Sequence, residues 1–358
     1  MNPLREVRRY GQQLWLDNLS RTLLNEGELA RLVRDDGIAG ITTNPAIFEK
    51  AISAGRYYED DLAQLRERDL TPEQRYEALA VEDVRRACDL LRDEYEASDG
   101  DAGYVSLEVS PALAHDSEGT LRDGRRLREA VGRDNLLIKV PATPAGIDAV
   151  EHMIAEGISV NVTLMFSLAH CEAVASAYQR GVTRFLADGG DPARIKSVAS
   201  LFLSRLDSLV DPRLEALGGE ATALQGKAAV AMAKLAYAAY QSRVEAPGFA
   251  QLRAQGVRPQ QMLWASTGTK NKAYSDLLYV EPLIGPETVN TLPDGTLAAL
   301  RRHGHIASTL AEGIEAAHDV FARLAHLGID LTEAGEQLQR EGLAQFEQAF
   351  ARMLETTA

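Results

Sequence analysis

Asn135-Leu-Leu-Ile-Lys-Val-Pro-Ala142 is a run of eight residues of which five are Leu, Ile, Val or Ala. A segment this short and this apolar reads as a strand buried on both faces, as in parallel sheets covered by helices. Lys139 interrupts it. An ammonium taken from water without a partner is costly, so a lysine in such a place tends toward the neutral amine. A neutral amine on a rigid strand is a nucleophile for carbonyl carbon. The ordinary alternative is a strand-end lysine whose head reaches solvent along its apolar stem. The chain has 31 Arg and only 7 Lys, so a position needing charge alone would more often carry arginine.

Outward from this run, strand-like segments alternate with helical patterns, the signature of a parallel sheet with crossover helices. The strand readings are Gln13–Asp17, Ile38–Thr43, Tyr104–Val109, Leu136–Val140, Ser159–Leu164, Ser197–Leu203 and Met262–Thr267. Thr288–Leu292 is the choice for the eighth, with Leu277–Val280 as its competitor. Asn25 with Glu28 three residues on reads as a helix start, and Gly37 as its end. Thr71-Pro72-Glu73 opens a long helix carrying Ala80, Val84, Cys88 and Leu91 on one stripe. Thr143-Pro144 opens another, with Ile147, Val150 and Ile154, closed by Gly157. The small residues of Ala228–Ala239 suit close packing on a sheet, and Asp330 with Glu333 reads as a capping box before the last helix. Eight strands with helices between them predict an α/β fold, a (β/α)8 TIM barrel. Extra helices are expected between strands two and three and at the C-terminus. No Gly/Ser/Pro-rich linker divides the chain, so residues 1–358 are expected to form one domain.

Composition narrows the function. The net charge of −14 disfavours nucleic acid and anionic membranes as partners, yet leaves room for an anionic small molecule in a local basic pocket. Cys88 and Cys171 are too few for a disulfide framework and read as packed thiols of a reducing, cytoplasmic compartment. The segment Met1–Tyr10 is charged and does not read as a signal peptide, and no run approaches a membrane span. The seven histidines lack ligand spacing, so neither a metal nor another cofactor is expected. Ser266-Thr-Gly-Thr-Lys270 lacks the upstream glycine and the hydroxyl of a phosphate loop, and no dinucleotide fingerprint occurs. Monomer and homodimer both stay open.

Side chains alternate across a strand, and here one face is repeatedly polar near its C-terminal end. That face carries Asp17, Thr42 and Asn44, then Ser106 and Glu108, Lys139, Asn161 and Thr163, Ser200, and Ser266. In a barrel it would be the interior, whose C-terminal rim holds active sites. Taken singly, Asp17 could be a loop cap, Asn44 a turn residue before proline and Thr163 a satisfied hydroxyl. A core built only for packing would not place polar groups in step around the ring. The set matches imine chemistry: an amine, two carboxyls for proton traffic, and amides to orient hydroxyls. Arg205 could clamp a phosphate bidentately, or pair with Asp207.

At these residues the chain resembles a transaldolase. Gly40-Ile-Thr-Thr-Asn-Pro-Ala-Ile-Phe48 is similar to the family's strand-two signature, Asn135–Ala142 to its Schiff-base strand, and Asn161-Val-Thr-Leu-Met-Phe-Ser167 to the next. Ser197-Val-Ala-Ser-Leu-Phe-Leu-Ser-Arg205 and Trp264-Ala-Ser-Thr-Gly268 extend the likeness, which runs from about Trp15 to Leu292 and is nearest the longer bacterial branch. The resemblance implies a class I aldolase-type barrel of the non-oxidative pentose phosphate pathway. Such enzymes move a dihydroxyacetone unit from sedoheptulose 7-phosphate to glyceraldehyde 3-phosphate. By motif match, Lys139 would form the imine, Asp17 would be the acid–base at the bond being cut, and Glu108 with Thr163 would hold a catalytic water. Asn44, Asn161 and Ser200 would hold the dihydroxyacetone part, and Arg205 with Ser266 the phosphate. Many members carry arginine where this chain has Gly268, and Lys270 is the candidate to supply that charge. Phe202 stands where fructose 6-phosphate aldolases have tyrosine, which favours transfer over simple cleavage. An aldolase that releases free dihydroxyacetone and a non-catalytic sugar-phosphate-binding barrel are the alternatives.

Overall fold

Eight parallel strands close on themselves in chain order. They are β1 (Gln12–Leu16), β2 (Gly40–Ile41), β3 (Tyr104–Glu108), β4 (Leu136–Pro141), β5 (Val160–Met165), β6 (Ser197–Phe202), β7 (Gln261–Ala265) and β8 (Thr288–Leu292), with β8 paired back to β1. The computed structural model describes residues 2–358. The expected (β/α)8 barrel is present, and Thr288–Leu292 is its eighth strand. The competing segment Leu277–Val280 is a turn. No helix among the described residues is long and apolar enough to cross a membrane.

β2 is the shortest strand, although its flanks stay extended: Ala39 N donates to Leu14 O (2.8 Å) and Thr42 N to Leu16 O (2.9 Å). Gly40 makes the fit to β1 possible, because a Cβ there would lie 2.6 Å from the Trp15 indole. The reading of Asn25 as a helix start is wrong. Ser20 caps the short helix Arg21–Asn25, accepting from Leu23 N, and Asn25 is that helix's last residue. Gly27 then adopts φ 76°, a left-handed conformation that interrupts the helix and restarts the chain at Glu28–Arg31. A wider turn, Leu32–Asp36, follows and ends at Gly37.

The added helices lie where expected. Pro45–Ser53, Glu59–Arg66, Pro72–Leu90 and Arg92–Ala97 fill the β2–β3 connection. Thr71 and Gln74 form a reciprocal capping box at the start of the longest of these, and Ala80, Val84 and Cys88 are buried on its inner stripe. The C-terminal helix Leu331–Thr357 packs on Pro45–Ser53 and Pro72–Leu90 and crosses the C-terminal end of the barrel. Asp330 caps it by accepting from Thr332 N and Glu333 N. Gly335, Gln339, Gly342 and Phe346, spaced by three or four residues, form the stripe that meets the barrel. Gly335 permits a close approach, because a Cβ there would sit 2.8 Å from that of Ser167. This helix is one wall of the site.

Candidate active site

Register brings the ionisable residues together. Glu108 on β3 is paired with Lys139 on β4, and Lys139 with Asn161 on β5. Residues paired laterally project to the same side, so the three side chains share the barrel interior. Lys139 is 4% exposed. Its Nζ donates to Thr43 O (2.8 Å), lies 3.6 Å from Glu108 Oε2 and sits 5.9 Å from the centroid of the Phe346 ring. An ammonium has three donors, and only one is engaged by a hydrogen bond here.

Lys139 opens onto a cavity of about 200 Å3 at the C-terminal end of the barrel. Asp17, Asn44, Thr163, Ser200, Phe202, Arg205, Ser266 and Lys270 line the same cavity, so the structure gathers nine of the eleven sequence-predicted residues around it. The other two lie behind it. Asn161 is fully buried, donating from Nδ2 to Ser106 Oγ (3.0 Å) and accepting at Oδ1 from Ser200 Oγ (2.7 Å). It ties three strands together beneath Ser200. Glu108 faces Lys139 but borders a different, outer cavity.

Both carboxyls are driven toward the protonated form. Burial raises the Asp17 carboxyl, outweighing the pull of Lys139 and of the Thr42 hydroxyl that donates to its Oδ1 (2.8 Å). Burial pushes Glu108 up to about 7 against the attraction of Lys139, and Asp17 adds to the rise. Glu108 Oε2 has no hydrogen-bond partner, and neither has the buried Thr163 hydroxyl. Such groups are uncommon in native interiors and call for a partner that the protein does not supply.

Backbone irregularity aims the rim. β5 shifts register between Val162 and Met165, and Leu164 takes φ 57°. A left-handed leucine is strained and needs support. Gln339 of the C-terminal helix provides it, donating Nε2 to Leu164 O (3.1 Å) and Ala142 O (2.9 Å). Ser266, directly after β7, adopts φ 53°, and its hydroxyl is 2.9 Å from that of Ser204.

Arg205 sits in the first turn of the helix Ser204–Leu217. Its expected alternative partner is engaged elsewhere: Asp207 accepts from Ala229 N (3.0 Å) and the Tyr279 hydroxyl (2.8 Å). The guanidinium lies 5.6 Å from the Phe202 ring, and its buried Nη1 has no partner. Burial lowers its pKa from the ordinary value, as expected for a desolvated cation awaiting an anion. Gly268 carries no side chain into the cavity, whereas Lys270 lies exposed on the same wall.

Four contributors have no role in the sequence reading. Thr42 and Thr291, joined by a 2.6 Å hydrogen bond, support Asp17; strand alternation places Thr42 inward, and applied to β8 it would place Thr291 there too. Phe346 and Gln339 come from a helix that crosses the barrel end, and no local pattern marks them. The whole arrangement offers an amine, two carboxyls whose burial favours the protonated form, and an unpaired cationic end.

Comparison with known proteins identifies the family. Residues 14–357 match the family described as transaldolase/fructose-6-phosphate aldolase. A transaldolase of Thiobacillus denitrificans is 53% identical over 355 residues, covering 99% of both chains. One from Neisseria meningitidis is 50% identical over 354 residues with the same coverage, and one from Mycolicibacterium smegmatis is 47% identical over 349, covering 97% of this chain and 94% of the relative. With its barrel, its gathered inner-face residues and a match over nearly its whole length, the chain belongs to the transaldolase/fructose-6-phosphate aldolase family.

Proposed function

We propose that the protein transfers a dihydroxyacetone unit from sedoheptulose 7-phosphate to glyceraldehyde 3-phosphate through an imine on Lys139. The carrying observation is the setting of that amine: buried, held by one hydrogen bond, beside a carboxyl at 3.6 Å, and open to a cavity that also holds an unpaired guanidinium. Lys139 attacks the C2 carbonyl, and Glu108 protonates the carbinolamine oxygen, which leaves as water. Thr163, whose hydroxyl has no protein partner, holds that water.

The protonated imine then draws electrons from the C3–C4 bond. Asp17 takes the proton of the C4 hydroxyl as the bond breaks, and erythrose 4-phosphate departs. The enamine left on Lys139 attacks glyceraldehyde 3-phosphate, Asp17 returns the proton, and hydrolysis frees fructose 6-phosphate. Asn44 and Ser200 face the cavity where the three-carbon unit would lie, and Asn161 orients Ser200 from beneath. Arg205, Ser266 and Lys270 take the phosphate, the guanidinium as a bidentate donor. Phe202 and Phe346 make the wall near the imine apolar, which suits an intermediate that waits for an aldose rather than being lost to water.

Borohydride reduction with fructose 6-phosphate, followed by peptide mapping, tests the reading. A three-carbon or six-carbon adduct on Lys139, absent in Lys139→Ala, is the expected result. An unmodified Lys139 rejects the mechanism. Turnover with and without an aldose phosphate distinguishes transfer from cleavage, since equal release of free dihydroxyacetone without acceptor would identify an aldolase.

A further inference from the structure

Glu108 stands behind Lys139, its Oε2 3.6 Å from Nζ, and does not itself line the sugar cavity. It borders a second, outer cavity between β3 and the helices Pro72–Leu90 and Ser117–Val131, with about 30 Å3 of open volume. One water requires roughly 10–15 Å3 on that measure, so the space holds about two. The lining is suited to water: Tyr76 and Glu77 contribute from one helix, Asp123 and Arg126 from the other. Arg126 and Glu73 are exposed, so the outer end meets solvent. At the inner end the Glu108 side chain is 6% exposed, and its Oε2 lacks a hydrogen-bond partner.

We propose that Glu108 exchanges its proton with solvent through this side cavity, along a short water chain, by a route that bound sugar does not block. The proposal rests on the imine reading above. Dehydration of the carbinolamine moves one proton from Glu108 to the departing oxygen, leaving the protonated imine, a water molecule and a Glu108 carboxylate. The carboxylate then takes a proton from the water chain, and hydrolysis of the imine runs the sequence backward. Sugar fills the mouth throughout, so protons delivered only from that side would have to pass the substrate. The groups facing Glu108 are Lys139 from β4, Asp17 beyond β1, Tyr76, Glu73 and Glu77 from one helix and Asp123 and Arg126 from the other. Burial and Asp17 push its carboxyl up to about 7, where both protonation states are accessible near neutrality.

Ala80 lines this cavity and is absent from the sugar cavity. Ala80→Leu should fill the water path and lower kcat about tenfold or more, with KM within about twofold. The solvent deuterium isotope effect on kcat should rise, and the limb of the kcat–pH profile set by Glu108 should move. A merely structural defect would give neither response. Asp123→Asn, nearly isosteric, gives a second reading should Ala80→Leu fail to fold: its kcat should fall with the same isotope signature. Folded variants with native kcat and isotope effect would overturn the proposal. Borohydride trapping on the same proteins separates the two ideas. An adduct on Lys139 with an unchanged isotope effect defeats only the side route, whereas no adduct in the native protein defeats the imine reading itself.

Discussion

Lys139 and Lys196 are both buried in this barrel, one near each end, and they differ in how many of their donors are satisfied. Lys196 precedes β6 at the N-terminal end and is 1% exposed. Its Nζ donates to Asp101 O and Asp101 Oδ1, both at 2.7 Å, and to Gln261 Oε1 at 2.9 Å. Asp101 Oδ2 also accepts from Gln13 Nε2 (3.0 Å), and Gln13 Oε1 from the Trp15 indole (3.1 Å). Every donor is used, and the network plugs the barrel floor. Lys139 has one hydrogen bond and a carboxyl at 3.6 Å, and it lines an open cavity. The same residue type is therefore fully bonded at one end, and open to a cavity with donors to spare at the other. Burial alone does not mark a lysine as a candidate nucleophile; unused donors beside a cavity do.

Substitutions can separate the two ends. Lys139→Ala should cut turnover by about 10^4-fold or more while leaving thermal stability nearly unchanged, because in the proposed mechanism it removes the covalent centre. Steady-state assays and melting curves on the same sample check both halves. Lys196→Met should do the reverse. Losing a buried partner strands Asp101, but that side chain is 45% exposed, so solvent screens it and the cost should be about 2–3 kcal/mol. Denaturant titration measures this, with kcat expected to stay native in the folded fraction. Loss of activity in folded Lys196→Met would break the contrast.

Arg205→Ala should raise KM for the sugar phosphate about 10- to 100-fold with a smaller change in kcat, as expected for a charge-assisted contact kept through the reaction. Equal loss of kcat and kcat/KM would place Arg205 at the reacting centre instead.

The smallest effect is in pH. Glu108 keeps its proton up to about 7 in the folded chain, against 4.5 ordinarily. Its raised value means that its stabilising contribution is complete below 4.5 and is lost as pH rises through 7. Asp101 behaves oppositely. Burial alone would raise it, but Lys196 holds it below the ordinary 3.8, so its contribution is present above 3.8 and lost as acid takes pH down through the folded value. Melting temperatures of Glu108→Gln should accordingly fall less than those of the native protein between about pH 5 and about pH 8. Parallel curves would show that Glu108 does not carry the alkaline loss.

Much of the reactive end was legible because it obeys a local rule. A two-residue period assigns Ser106, Glu108, Asn161 and Thr163 to one face without knowledge of the neighbours, and parallel pairing then sets Lys139 among them. The closed end carries no such mark. Lys196 stands just outside a strand run, indistinguishable from a surface lysine until Asp101, distant in sequence, is folded against it. The misread Asn25 is a failure of the same sort, since its pattern fits a cap and the left-handed Gly27 decides otherwise.

By itself the sequence determined the strand count, the polar inner face and the one lysine within an apolar strand, because alternation and helix caps are short-range geometry. Tertiary structure alone decided which polar groups are spent and which are free. Asn161 is consumed beneath Ser200, Glu108 turns to an outer cavity, Asp207 leaves Arg205 unpaired, and a C-terminal helix brings Phe346 over Lys139. Those outcomes depend on partners far apart in the chain, and hydrogen-bond competition among them is settled only when the barrel closes.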